Sequence, residues 1–352
     1  MELDNLIKVM APAVIAFVVG IGITPTISHY LYKYRAWKKD GGKTAMDGST
    51  AEVFNSLHKE KESEAPRMGG LVIIFSALIT ILGISLVAYI FPNDSTAKLD
   101  FLSRSQTWIP VMTLFAGALV GFIDDFLEIK RRGGLSLRRR LLFVLTLSFL
   151  IGWWFHNKLD ITSIGIPFDG SLEIGWLVIP LFMLISLAIY ASGIIDGIDG
   201  LSGGVFAMIF TAYSLIALVQ DQINLAAFSA MLVGAILAFL WFNIPPARFY
   251  MTETGSMALT LTLATVAFMT DSLGGGIGIA ALPIIGFLLV ATVATTIAQV
   301  LSKKFLGRKL LRVAPLHHHF EAIGWPGTKV VMRYWILGAM FAFFGVIFAL
   351  VG

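Results

Sequence analysis

Long apolar stretches separated by short polar connections dominate this chain. They reach roughly 18 to 25 residues, close to the ~20 that a helix needs to cross ~30 Å of hydrocarbon. They do not alternate between apolar and polar positions, as membrane β-strands do. We therefore predict an all-α polytopic membrane bundle, as one integral membrane domain over residues 1–352. The predicted spans cover about 8–31, 69–91, 108–127, 140–156, 173–192, 202–219, 225–242, 256–270, 279–301 and 333–351.

Composition agrees with a membrane protein. Hydrophobic residues make up 57% of the chain and charged residues 14%, whereas soluble domains carry about 25% charged residues. The first apolar run contains Pro12 and has no clear cleavage site, so we expect a retained span. The ninth contains Pro283 and Gly286, which predict a bend. There is no cysteine, which excludes disulfides and thiolate metal sites.

Basic residues are divided unequally between the two sets of connections. Of the 26 lysines and arginines, only four lie at the chain start or in the connections that follow even-numbered spans: Lys8, Lys98, Arg104 and Lys158. The others lie in or beside the connections that follow the odd-numbered spans. Because positive charge favours the cytoplasmic side, both termini should be periplasmic. The pI of about 9.2 then reflects membrane topology, and nucleic-acid binding is not expected.

Ionisable motifs lie on the predicted cytoplasmic side, where such residues at membrane edges are costly and usually functional. They are Asp124-Asp125, Asp196-Gly-Ile-Asp199-Gly, Glu253 and His317-His318-His319. Adjacent carboxylates in an apolar setting favour a bound proton or cation, and on a helix they point about 100° apart. Histidines bind metals or, when cationic, phosphate. The combination predicts a metal-dependent enzyme that acts on a phosphorylated substrate.

Each motif also has a structural alternative. Asp124-Asp125 could be a solvated helix end neutralised by the basic run after it, and the Asp196–Asp199 segment could be a polar turn. The histidines could lie on an amphipathic surface helix that touches anionic lipid. Tyr250 could be an interfacial anchor, and the glycines of Pro66-Arg-Met-Gly-Gly could serve helix packing.

Taken together, the motifs resemble the polyprenyl-phosphate N-acetylhexosamine-1-phosphate transferases, from about Pro66 to Arg333. Ala314-Pro-Leu-His-His-His-Phe-Glu, Gly324-Trp-Pro and Val331-Met-Arg-Tyr-Trp-Ile are most similar to the phospho-N-acetylmuramoyl-pentapeptide transferase branch. This resemblance implies transfer from UDP-N-acetylmuramoyl-pentapeptide to undecaprenyl phosphate in the bacterial plasma membrane, with release of UMP. The alternatives are a relative that uses UDP-N-acetylglucosamine, and an inactive scaffold or transporter of the same fold.

The resemblance also implies a role for each site residue. Asp124 is the candidate base for the lipid phosphate, and Asp125 supports it or the metal. Asp196 and Glu253 would hold Mg²⁺. Uridine would be bound by Asp199, Asn243 and Tyr250. The donor's anionic groups would be held by His317, His318, His319 and nearby arginines. A homodimer is also implied.

Several positions depart from the family pattern. The family's Asn-x-x-Asn is represented by Tyr190 and Gly193, and its Met-Gly-Asp-x-Gly-Ser reads Met251-Thr-Glu-Thr-Gly-Ser256 here. Glu253 therefore stands in place of a metal-binding Asp. Arg67 replaces a Thr in the family's Thr-Pro-Thr-Met-Gly-Gly. Glu62 and Glu128 occupy positions that are basic in the family, and Arg140 appears where a second Lys is usual.

Overall fold

The computed structural model describes residues 3–37, 65–103, 106–131 and 133–352. These residues form thirteen α-helices and one two-stranded hairpin. In chain order the elements are α1 (Leu3–Lys33), α2 (Gly70–Ile90), α3 (Asp94–Leu99), α4 (Trp108–Arg131), α5 (Leu137–Lys158), β1 (Ser163–Ile166), β2 (Gly170–Glu173), α6 (Val178–Ala191), α7 (Leu201–Val219), α8 (Ile223–Asn243), α9 (Thr252–Met269), α10 (Gly278–Ile285), α11 (Phe287–Leu306), α12 (Leu316–Ala322) and α13 (Gly327–Val351).

Nine helices in the described part of the chain are long and apolar enough to cross a membrane. They confirm the predicted all-α polytopic membrane bundle. The eighth predicted span is also helical, as α9, but it is not among these nine. Its threonines make it more polar, and their hydroxyls bond back to the helix, as from Thr260 to the Ser256 carbonyl (2.7 Å). Every residue of α9 except Glu253 is buried, so α9 is an internal helix.

The ninth predicted span is interrupted where its proline and glycine indicated a bend. Helix α10 ends at Ile285, and α11 begins at Phe287 and continues to Leu306. The Gly286 N–H still bonds to the Leu282 carbonyl at 2.8 Å. The predicted range 279–301 therefore covers parts of two helices, and the second of them is a candidate span by itself.

Close packing around α9 brings the site segments together. The helix contacts α4 along its length and also contacts α2 and α6. Gly121 of α4 lies against the Glu253 carbonyl, and Gly70 of α2 lies against the Gly255 backbone, with no room for a Cβ at either position. The packing role considered for the glycine pair that opens α2 is thus confirmed at Gly70.

The opposite end of α9 is held by main-chain contacts. Strands β1 and β2 pair antiparallel, from Ser163 opposite Glu173 to Ile166 opposite Gly170. Asp271, just after α9, accepts hydrogen bonds from the backbone N–H groups of Gly165 (2.7 Å) and Ile279 (2.9 Å). This carboxylate therefore ties the hairpin and α10 to the end of α9.

Candidate active site

Two of the predicted acidic motifs meet at Thr252, the first residue of α9. Its hydroxyl donates to Asp125 Oδ2 at 2.6 Å, and its backbone N–H donates to Asp196 Oδ2 at 2.9 Å. The end of α4 and the segment before α7 are far apart in sequence. The start of α9 thus joins them into one site at one end of the bundle.

Asp125 is fully buried and is held by several donors. Its Oδ2 also accepts from the backbone N–H (2.8 Å) and the hydroxyl (2.6 Å) of Thr254. Its Oδ1 lies 3.1 Å from Arg67 Nη2. Backbone N–H groups at a helix N-terminus favour negative charge, so the start of α9 stabilises this carboxylate and fixes its orientation.

Asp124 is also fully buried but faces a different set of groups. It accepts a hydrogen bond from the Leu135 backbone N–H, and its Oδ2 lies 2.9 Å from Arg140 Nη2. The two neighbouring carboxylates therefore point in different directions, as helix geometry predicts. The alternative of a solvated helix end is wrong for both residues.

Two arginines connect the carboxylates into an ion-pair network. Arg67 Nη2 lies 2.7 Å from Glu128 Oε2, in addition to its contact with Asp125. Arg140 Nη1 lies 2.8 Å from Glu253 Oε1, in addition to its contact with Asp124, and Arg140 also forms a side-chain hydrogen bond with Tyr190. Residues that depart from the family pattern thus contact one another: Arg67 contacts Glu128, and Arg140 contacts Glu253 and Tyr190.

One set of carboxylates in the network has the spacing of a metal site. Asp124, Asp125 and Glu128 each offer one oxygen, and these oxygens lie within 4.8 Å of one another. Carboxylate oxygens are the donors that Mg²⁺ prefers, so the donor type fits the expected ion. The predicted ligands Asp196 and Glu253 are outside this set, although both are close to it through Thr252 and Arg140.

The Asp196–Asp199 segment lies beside the histidines. Asp196 Oδ1 accepts from the Ser202 hydroxyl at 2.6 Å, and Asp199 Oδ2 accepts from the Ala247 N–H at 3.2 Å. A Cβ on Gly197 would lie 2.6 Å from His317 Nε2 and 2.7 Å from His318 Nε2. The absence of a side chain at Gly197 therefore lets the histidines approach the acidic segment closely.

The three histidines differ in their surroundings. His317 and His318 are buried, and His318 Nδ1 lies 2.7 Å from Glu321 Oε2. His319 is only partly buried, and its Nδ1 accepts from the Arg312 N–H at 3.2 Å. The surface-helix alternative is therefore wrong for His317 and His318.

Asn243 and Tyr250 contact the backbone that frames the site. The buried Asn243 amide accepts from the Gly200 N–H (2.9 Å) and donates to the Phe249 carbonyl (2.8 Å). Tyr250 is half-buried, and its main chain pairs with Pro66 and Gly69 at the start of α2. Among the positions that depart from the family, Glu62 lies outside the described residues.

Sequence reasoning missed Thr252, Thr254 and Ser202 as partners of the carboxylates. Thr254 and Ser202 have no sequence signal beyond their nearness to Glu253 and Asp199, whereas Thr252 stands where the family pattern has Gly. Arg67, Glu128 and Arg140 did give a signal, because each departs from the family pattern. Their contacts with one another could not be read from that pattern.

Comparison with known proteins identifies the family of this chain. Residues 107–271 match the glycosyl transferase family 4. The chain is 33% identical over 346 residues to the phospho-N-acetylmuramoyl-pentapeptide-transferase of Bacillus mycoides (strain KBAB4), covering 96% of each chain. It is also 33% identical over 343 residues to the enzyme so named in Anoxybacillus flavithermus (strain DSM 21510 / WK1), covering 96% of this chain and 97% of the relative. The chain therefore belongs to the phospho-N-acetylmuramoyl-pentapeptide-transferase family.

Proposed function

We propose that this multi-pass membrane protein transfers phospho-N-acetylmuramoyl-pentapeptide from UDP-N-acetylmuramoyl-pentapeptide to undecaprenyl phosphate, with release of UMP. The product is the first lipid intermediate of peptidoglycan synthesis. The convergence of Asp125 and Asp196 on Thr252 is the main structural support, because it joins the predicted acidic motifs in one site. The relatives named for this activity, which match nearly the whole chain, also support it.

The proposed reaction is a phosphoryl transfer. An oxygen of the lipid phosphate bonds to the β-phosphorus of the donor, and the bond from that phosphorus to the oxygen shared with the α-phosphate breaks. UMP leaves with that oxygen. Such transfers depend mainly on alignment and charge neutralisation. Asp124 would accept the proton of the lipid phosphate, while Asp125, held by Thr252 and Thr254, would keep the end of α4 in place.

Substrate binding is assigned to groups on both sides of the acidic segment. Asp199, Asn243 and Tyr250 would bind uridine, with Asn243 acting mainly through the Gly200 and Phe249 backbone that it holds. The donor's phosphates would be bound by His317, His318, His319 and the neighbouring Arg312. Cationic histidines suit this role, and their position beside Gly197 supports it.

Magnesium would supply positive charge to the pyrophosphate oxygens. Asp196 and Glu253 are our proposed ligands, and the spacing of Asp124, Asp125 and Glu128 supports a second set. Binding of Mn²⁺ in place of Mg²⁺, measured by electron paramagnetic resonance, distinguishes the sets. Weaker binding in Asp196→Asn but not in Glu128→Gln supports the first set, and the reverse result replaces it.

We also propose that the active site faces the cytoplasm and that both termini are periplasmic. The chain has no cysteine, so single cysteines can be labelled without background. In intact cells a membrane-impermeant maleimide should label Asp169→Cys, in the exposed hairpin, but not Lys304→Cys, at the exposed end of α11. The reverse labelling would contradict the proposed orientation and support the opposite one.

We also propose that the protein forms a homodimer, as the resemblance implies. Crosslinking of the same cysteine variants tests this proposal.

Release of UMP by the purified protein tests the proposed reaction directly. The protein receives undecaprenyl phosphate, Mg²⁺ and, in separate reactions, UDP-N-acetylmuramoyl-pentapeptide or UDP-N-acetylglucosamine. We expect turnover with the first donor alone. Turnover with only the second donor would assign another substrate, and folded protein that is inactive with both would contradict the enzymatic proposal.

A further inference from the structure

Thr252 has a backbone conformation that its residue type disfavours. Its φ is +54°, in the left-handed region, where a β-branched residue is a genuine outlier. Such conformations cost energy and persist only where the surroundings impose them, which occurs most often at functional sites. Thr252 is buried at the junction between the Tyr250–Met251 segment and α9, so the contacts that impose this conformation can be identified.

Three segments contact Thr252. Its N–H donates to Asp196 Oδ2 (2.9 Å), and its hydroxyl donates to Asp125 Oδ2 (2.6 Å). The same hydroxyl accepts from the Met68 N–H (3.1 Å). Rotation to a negative φ would reorient the N–H relative to the side chain, and the two carboxylates could no longer be bound together. The positive φ is therefore coupled to simultaneous contact with Asp125 and Asp196.

Anchoring of Asp125 alone does not require Thr252. Thr254 already donates two hydrogen bonds to the same carboxylate oxygen, from its N–H and its hydroxyl. Arg67 also joins Asp125 to the segment that precedes α2. What Thr252 adds is the connection from Asp125 to Asp196. Its distinct contribution is thus the relative position of carboxylates that belong to different segments.

We propose that Thr252 is a positioning residue for the phosphoryl transfer, because its hydroxyl and strained backbone fix the Asp125 and Asp196 carboxylates relative to each other. This inference rests on the proposed function of the site. Thr252 itself does not carry out a chemical step. Its loss should reduce kcat more than it changes KM for the donor, since the substrate-binding groups remain in place.

Three substitutions separate the hydroxyl from the backbone. Thr252→Ser keeps the hydroxyl, and Thr252→Val keeps the β-branched shape without it. Thr252→Gly also lacks the hydroxyl, but it accommodates the positive φ without strain. We expect the Ser variant to retain kcat within about threefold, and the Val and Gly variants to lose about 10- to 100-fold, as expected for a lost hydrogen bond to a charged group.

Thermal unfolding of the same variants distinguishes positioning from a merely structural role. If Thr252 had only a structural role, the activity of each variant would follow its unfolding temperature. A Gly variant with a higher unfolding temperature than the Val variant would then also have the higher kcat. Positioning predicts that activity follows the hydroxyl, whatever the order of unfolding temperatures. A Gly or Val variant with wild-type kcat would overturn the proposal.

Hydrogen exchange gives a readout that does not depend on turnover. In the Val variant, the Met68 amide loses its acceptor and should exchange faster, while the Ser variant should match the wild type. If the wild type releases UMP from neither donor, the proposed function fails. Hydrogen exchange at the Met68 amide then remains as the test of the contacts made by the Thr252 hydroxyl. Unchanged exchange at Met68 in the Val variant would then overturn it.

Discussion

Two buried carboxylates lie at opposite ends of α9 and are held in different ways. Asp271, after the helix, accepts from the backbone N–H groups of Gly165 and Ile279. Asp125, near its first residue, accepts from the Thr254 backbone N–H but also from the hydroxyls of Thr252 and Thr254, and it lies beside Arg67. Main-chain donors are fixed by the fold, whereas side chains can rotate. The contacts of Asp271 are therefore suited to holding structure. At Asp125 the backbone donor holds the carboxylate, while the contact with the Arg67 side chain can be rearranged when a ligand binds.

The two ends also differ in charge. Around Asp125 the described residues form ion pairs through Arg67 and Arg140, which reach Glu128 and Glu253. A partly buried ion pair loses much of its Coulomb attraction to desolvation, so such a network is a weak source of stability. Its two arginines offset only part of the charge of the four carboxylates that they contact. Under the proposed function, an incoming cation or phosphate would exchange partners with these arginines.

The largest expected effect comes from Asp124→Asn at the site end. The amide keeps the shape and can accept from Leu135, but it cannot take a proton. We expect kcat to fall by about 10²- to 10⁴-fold. The unfolding temperature should fall only modestly, because Arg140 loses Asp124 as a partner but keeps Glu253. Asp169→Asn, in the exposed hairpin, is the matched control and should leave kcat and the unfolding temperature unchanged. Full turnover by Asp124→Asn would remove its assignment as the base.

Asp271→Asn tests the opposite end. Its amide can accept from only one of the two N–H groups and presents its own N–H₂ to the other. A buried donor left without an acceptor costs about 1–3 kcal/mol, so the free energy of unfolding should fall by that amount. UMP release per folded molecule should not change. Lost activity at unchanged stability would show that Asp271 acts on the site.

The smallest effect is expected within the ion-pair network. Arg67→Gln, Glu128→Gln and the double variant form a thermodynamic cycle for the 2.7 Å pair. We expect a coupling free energy of about 0.5–2 kcal/mol in unfolding. Arg67→Gln should destabilise more than Glu128→Gln, because it also leaves Asp125 without its cation. Equal effects of the single variants would mean that Asp125 does not depend on Arg67.

Much of the fold could be predicted from the sequence because hydropathy reports directly on burial in a bilayer. The range predicted for the third span, 108–127, lies within Trp108–Arg131, and the bend expected at Pro283 and Gly286 is a helix break. The hairpin at 163–173 was not predicted. Its four-residue strands have no distinctive pattern, and their position depends on Asp271, which comes about a hundred residues later in the chain.

The site could be predicted only in part. Asp124, Asp125 and Asp196 were identified because charge is conspicuous at the ends of apolar helices, and they lie close together. The contacts of Thr252 depend on a backbone angle and on tertiary packing, which the residue type does not reveal. Asn243 was predicted as a uridine ligand from resemblance, whereas its backbone contacts with Gly200 and Phe249 are known only from the structure.

The polar, enclosed character of α9 has a consequence for biosynthesis. A helix that carries Glu253 and several threonines has a weak tendency to leave the translocon for lipid by itself. Its neighbours α2, α4 and α6 are all translated before it. The membrane insertion of α9 should therefore depend on these earlier helices, so the segment that organises the site enters the bilayer only after most of its neighbours have been made.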